Sequence, residues 1–189
     1  MTTKMIRAFG PDLTIRSDGR TVAGIAVPFG VTARVRDGAG PPYDEAFAAG
    51  SFARTIRERG DRVKFLVNHD ARALPIGRAL LLREDAAGLY AEFRVSQTQA
   101  GDEALELLRD GTLDGLSVGF RPISERIERG VTVRTEVRLD EVSACAFAAY
   151  DDARVLAVRS ADLPHLTIAR RRLVLARLAA GLTPEPEEG

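Results

Sequence analysis

Ser117, His69 and Glu141 are the residues whose types and settings could carry chemistry. Ser117 lies within Gly115, Leu116, Ser117, Val118 and Gly119, which satisfies the G-x-S-x-G pattern of the α/β-hydrolase nucleophile elbow. That elbow needs a helix after the serine. Here Phe120, Arg121 and Pro122 follow, and proline disfavours helix at the residue before it. Asp140 or Asp152, and then His165, would complete the order Ser, acid, His. The chain is nevertheless short for that fold and lacks its alternating strands and helices. On a strand the same serine reads differently. Leu113, Gly115, Ser117 and Gly119 then share one face, and Leu116, Val118 and Phe120 point to the core. Glycines there leave the hydroxyl uncrowded and let a substrate backbone approach closely. Without a partner, this is also the pattern of a surface serine in a bulged strand.

His69 follows the run RVKFLVN, in which Val63, Phe65 and Val67 alternate onto one side of a strand, so its imidazole sits at a strand end. A partly exposed imidazole titrates near neutrality and suits a general base. It equally suits a solvated histidine bonded to its neighbours. In LDEVSACAF, alternation puts Leu139, Glu141, Ser143, Cys145 and Phe147 on one face, an acid amid mainly apolar neighbours. A partly buried carboxylate needs a partner. An imidazole is such a partner, and a carboxylate that holds it fixes its tautomer and stabilises its protonated form. The other reading turns Glu141 outward beside Asp140 or pairs it with an arginine.

The elements that must position these residues read as mainly β. TVAGIAVPF predicts a strand from Thr21, followed by a long loop from Val31 to Tyr43; Ser51 can then cap a short helix to Arg59 whose inner face is Phe52 and Ile56. Ile76 to Arg83 and Leu89 to Val95 form a hairpin, with Leu89, Ala91, Phe93 and Val95 on one face. DEALELLRD predicts a helix from Asp102 to Asp110, stopped by Gly111. After Pro122, ISERIER and VTVRTEVRL join through Arg129 and Gly130 as another hairpin; LDEVSACAF and ARVLAVR complete the set. About seven or eight strands with two internal helices point to a barrel or sandwich rather than βαβ repeats. Residues 161–189 read as a separate amphipathic helix, LTIARRRLVLARLAAGL, and a disordered acidic tip, TPEPEEG.

Composition narrows the classes. The 189 residues suit one core; 27 Lys+Arg balance 27 Asp+Glu, so no global field draws the chain to nucleic acid or an anionic membrane. Any charged partner must be met locally. The arginines of ARRRLVLAR come without an aromatic stacking platform, so nucleic acid is not expected as a partner. The lone Cys145 forms no internal disulfide, and MTTKMIRAFGPD lacks a signal's apolar core. A soluble protein in a reducing cytoplasm is expected, with no membrane partner. Two histidines and one cysteine, without CxxC or HExxH spacing, predict no metal and no cofactor.

FAAGSFARTI, VKFLVNHD followed by PIGR, LLRDGTLDGLSVGF, and LDEVSACAF followed by ARVLAVR occur in that order. From about Gly24 to Ser160 the chain resembles the prohead maturation proteases of tailed bacteriophages. The resemblance implies a domain over residues 1–160: mainly β with a few helices (α+β), a closed or partly open antiparallel β-barrel of the herpesvirus-protease type. It implies a serine endopeptidase that cleaves scaffold or the scaffold-like part of the major capsid protein, and itself, as a homodimer or within the assembling prohead in the host bacterial cytoplasm. By motif position Ser117 is the nucleophile and His69 the base. Glu141 is the orienting acid by its inward phase, with Asp140 and His165 as the other candidates. The second class of reading is a non-enzymatic capsid-assembly or scaffolding protein on the same fold, in which the serine is incidental.

Overall fold

The computed structural model describes residues 4–9 and 13–146. Asp152, the expected strand ARVLAVR, His165, the C-terminal helix and the acidic tip lie outside the described residues. The strands are β1 (Met5–Phe9), β2 (Leu13–Ile15), β3 (Thr21–Pro28), β4 (Ala33–Val35), β5 (Tyr43–Phe47), β6 (Lys64–Val67), β7 (Gly77–Glu84), β8 (Gly88–Val95), β9 (Gly115–Glu128) and β10 (Val131–Cys145). Helix α1 (Ala53–Arg59) follows β5, and α2 (Gln99–Arg109) follows β8. Among the described residues no helix is long and apolar enough to cross a membrane.

All these strands belong to one sheet, with the path β1-β9-β10-β6-β7-β8-β3-β2 and β5, paired with β4, at the side of β10. Chain geometry forces this sheet to curl. Laid flat, the path would hold its edges about 34 Å apart. Yet β1 and β2 are those edges, and Phe9 is joined to Leu13 by a stretch that spans about 15 Å at most. The result is the partly open form of the barrel, in which β3 also contacts β9 and β1.

The core lies inside the curl. Leu89, Ala91, Phe93 and Val95 are buried there together, as their alternation predicts. Phe65 of β6 stacks on Phe93 of β8 at 4.7 Å, and Phe47 meets Phe120 edge-on at 5.2 Å. Arg129 and Gly130, both at positive φ, turn β9 into β10.

Four differences from the sequence expectation have physical causes. Strand β9 runs through Pro122 instead of restarting after it. Among the described residues the ladder with β1 ends at Phe120 and β9 pairs with β10 alone from Arg121 onward, and a strand edge without that ladder tolerates proline. Secondly, the ladders are antiparallel except where β10 pairs with β5 and with β6, both parallel. Between these two ladders the segment around α1 serves β10 instead. Ser51 O accepts from Val137 N at 2.9 Å, Thr55 Oγ1 donates to Val137 O at 3.1 Å, and Leu139 N donates to Thr55 Oγ1 at 3.1 Å. This engagement also explains the third difference. Ser51 does not cap α1: its Oγ is buried without a hydrogen bond, and Glu84 accepts from the N–H of Phe52 at 2.7 Å. Fourthly, α2 begins at Gln99 rather than Asp102, because Thr98 Oγ1 accepts from Gly101 N at 3.2 Å as its cap.

The stretch from Val31 to Tyr43, expected to be loop throughout, contains β4 and leads into β5, which carries a buried ionic knot. Glu45 on β5 pairs with Arg7 on β1 and with Arg134 on β10, at 2.6 Å for the latter, and all three are at most 5% exposed. Tyr43 Oη accepts from Arg7 at 2.9 Å and from Arg134 at 2.8 Å and donates to Asp37 at 2.5 Å. Burial, the bond to Asp37 and the charge of Glu45 hold the Tyr43 hydroxyl well above its ordinary value, so it stays a donor. Breaking one member of such a buried set strands the others. Glu45→Gln is expected to lower stability by about 3–5 kcal/mol in urea unfolding; a loss near zero would show that the two guanidiniums are not held by this carboxylate.

Candidate active site

Three strands bring the candidate residues together, with β10 in the middle. Ser143 on β10 faces Ser117 on β9 on one side and Leu66 on β6 on the other. Leu116, Val118 and Phe120 enter the core, so Ser117 points to the opposite face. It is buried, not a surface serine.

His69 follows the end of β6 in a tight turn. Asn68 and His69 have φ of +49° and +58°, a left-handed conformation that non-glycine residues adopt only when held there. Here the holders are visible. Asn68 N donates to Ala144 O at 3.0 Å, Asp70 N to Val67 O at 3.0 Å, and His69 N to Ser143 Oγ at 3.1 Å. The turn aims the ring back over the sheet, where Nε2 lies 2.5 Å from Ser117 Oγ and Nδ1 lies 2.7 Å from Glu141 Oε1. With Nδ1–H donating to the carboxylate, Nε2 is free to accept the serine proton.

Glu141 reaches His69 through a bulge. The β9–β10 register shifts between Leu139 and Glu141, leaving Asp140 as the extra residue. Leu139 therefore joins the core, whereas Glu141, Ser143 and Cys145 turn to the other face, with Val142 and Ala144 inside. The expectation that Leu139 shares a face with Glu141 is corrected by this bulge. Asp140 meets Arg121 at 3.0 Å, Arg138 at 3.2 Å and Arg59 at 3.5 Å instead of the imidazole. His165 lies outside the described residues.

Two further side chains complete the shell of Glu141. Ser143 Oγ donates to Glu141 Oε2 at 2.8 Å while accepting from the His69 N–H, so one fully buried hydroxyl ties the Glu141 carboxylate to the backbone of His69. Lys4, just before β1, places Nζ 2.9 Å from Glu141 Oε1. Neither role was read from the sequence. Ser143 could have been flagged by its place two residues beyond Glu141 on one strand face; Lys4 carries no local signal at all.

Burial pushes the Glu141 carboxyl up, but the His69 ring, Lys4 and Ser143 together outweigh it and hold the group below its ordinary value. Cys145 Sγ lies 3.9 Å from His69 Nε2, yet burial, with the Glu141 charge, pushes its thiol up to about 11. It therefore stays a neutral thiol. Among the described residues no group of three His, Cys, Asp or Glu is placed to share a metal ion. A buried hydroxyl, an imidazole and a carboxylate in line are the parts for removing a proton from an attacking oxygen.

Comparison with known proteins bears on the family and the fold. The family model described as Caudovirus prohead serine protease matches residues 12–166. The prohead protease of Enterobacteria phage HK97 is 30% identical over 117 residues, covering 60% of this chain and 52% of that protein. The chain thus spans about half the length of that curated relative. The solved structure of the bacteriophage T4 capsid assembly protease, gp21, superimposes with a TM-score of 0.54 at 15% identity, covering 76% of this chain and 97% of that one. At that identity the likeness speaks for the fold, a strongly curled, mainly β half-barrel. With most of its length matched by the family model, the chain belongs to the Caudovirus prohead serine protease family.

Proposed function

We propose that this protein is a serine endopeptidase of prohead maturation, with Ser117 as nucleophile, His69 as general base and Glu141 as orienting acid. It cuts scaffold or the scaffold-like part of the major capsid protein inside the assembling prohead, and its own chain as well. The observation that carries this reading is the continuous relay from Ser117 Oγ through both ring nitrogens of His69 to Glu141 Oε1, at 2.5 and 2.7 Å. A passive scaffolding module has no need of a buried serine, an imidazole and a carboxylate aligned from three strand segments.

In the proposed reaction His69 Nε2 takes the Ser117 proton as Oγ bonds to the substrate carbonyl carbon. The imidazolium, steadied by Glu141, then gives that proton to the leaving amine as the C–N bond breaks, leaving an acyl-enzyme. Water deacylates it by the same route. Glu141 orients the ring through Nδ1, and Ser143 keeps the carboxylate in place. Residues 161–189 form a separate tail in this reading, a candidate for removal by self-cleavage.

A fluorophosphonate tests the nucleophile without a known substrate. Its phosphorus bonds to Ser117 Oγ, fluoride leaves, and the proton passes to His69. One adduct per chain, mapped to Ser117 by mass spectrometry and lost in His69→Ala, is the expected result. Ser117→Ala should fold like the parent and leave co-expressed capsid protein uncut; normal processing by that variant would remove Ser117 from its role.

Glu141→Gln separates orientation from attack. The amide can present an N–H to Nδ1 and favour the wrong tautomer, so capsid processing should fall about ten-thousandfold in kcat, against about a millionfold for loss of the nucleophile. A kcat unchanged in Glu141→Gln would show that another group orients the imidazole.

A further inference from the structure

Glu141 is gripped from more sides than orienting one imidazole demands. Its Oε1 receives His69 Nδ1 at 2.7 Å and Lys4 Nζ at 2.9 Å, while Ser143 occupies Oε2. The Lys4 side chain is 30% exposed and that of Glu141 only 5%, so the ammonium reaches inward to a carboxylate already out of water. Space for that reach exists because residue 119 is glycine. A Cβ at Gly119 would lie 2.0 Å from Glu141 Oε1 and 2.3 Å from Lys4 Cε. The bay over Gly119 is therefore filled by this ion pair.

The other polar and titratable groups around the pair do not substitute for Lys4. Ser117 comes from β9, Ser143 and the Cys145 thiol from β10, and Lys64 stands opposite Glu141 in the β6 ladder. Asp70 follows His69 but accepts from the N–H groups of Arg72 and Ala73. Asp140, beside Glu141, is engaged by Arg59, Arg121 and Arg138. Among the described residues Lys4 is the one Lys or Arg within ion-pair distance of Glu141. Nor is the strand that presents it loosely attached: β1 pairs along β9 from Phe120 to Leu116, and its Arg7 is locked to Glu45.

We propose that Lys4 is a positioning residue of this site: its ammonium fixes Glu141 in the bay left by Gly119 and offsets part of the carboxylate field felt by the His69 ring. The inference rests on Ser117 and His69 acting as nucleophile and base. Its physical ground is that a carboxylate favours protonation of the imidazole it touches, and a cation on the same oxygen offsets part of that field.

The test is the rate of fluorophosphonate attachment to Ser117 as a function of pH, in the full chain, for wild type, Lys4→Gln and Lys4→Arg. Without the cation the acid limb of the Lys4→Gln profile should move up by about half a unit to one unit, a discounted figure because Lys4 is partly exposed. At a pH below the limb, that is a rate loss of about three- to tenfold beyond any loss at the alkaline plateau. Lys4→Arg should return the limb to its wild-type place. A Lys4→Gln profile that superimposes on wild type overturns the proposal. So does an equal drop at every pH with no movement of the midpoint, which is what mere loss of packing would give. If wild type forms no Ser117 adduct at any pH, the nucleophile assignment itself fails and the role of Lys4 falls with it, an outcome distinct from the other two.

Discussion

The 2.5 Å contact between His69 Nε2 and Ser117 Oγ is the constraint around which this fold is arranged. The two residues sit on β9 and after β6, strands that do not touch each other in the sheet path; β10 lies between them. Two strand spacings, about 9.6 Å, separate the neighbours of a central strand. A side chain on β9 cannot bridge that distance alone. The left-handed turn at Asn68 and His69 supplies the remainder by folding the ring back across β10, and Ser143 on β10 receives the His69 N–H and so fixes the depth of the fold-back. Local backbone cost at the turn is met by bonds to the same strand that carries the acid.

That dependence explains why β10 is paired so completely. Beside β9 it runs antiparallel almost end to end, and on its other side it takes β5, then the Thr55 and Ser51 contacts, then β6. A central strand with slack backbone groups would let β6 and β9 drift, and a hydroxyl–imidazole hydrogen bond weakens steeply with distance and angle. The buried knot of Arg7, Glu45 and Arg134 acts at the far end of the same strand, tying β1 and β5 to it.

Much of this was legible in the sequence, and the failures share a cause. Period-2 alternation placed Phe93, Val118 and Phe120 in the core and turned Ser117 away from it, because those stretches follow a regular pleat. For Glu141 the same rule set the inward phase on a faulty premise. The bulge at Asp140 resets the alternation, so the acid lies with Ser143 and Cys145, not with Leu139. A bulge has no fixed sequence mark. Nothing in the sequence marks Arg7, Glu45 and Arg134 for burial, since charge is ordinarily outside; only pairing across three distant strands makes their burial tolerable. The parallel ladders were hidden for a similar reason, since strand direction is set by what lies between β5 and β6, not by either strand.

The G-x-S-x-G pattern shows how one motif can arise from different physics. In a nucleophile elbow its glycines relieve a sharp strand-to-helix turn. Here β9 continues straight through the serine, and Gly119 solves another problem. It shares the face of Ser117 two residues on and lies opposite Glu141 in the ladder. Any side chain there would occupy the position of the Glu141 carboxylate and the Lys4 side chain, since even a Cβ comes within 2.0 Å of Oε1. Moving the acid would release the imidazole, and with it the proton path from Ser117. The glycine belongs to the site because it is the empty volume into which the acid is fitted.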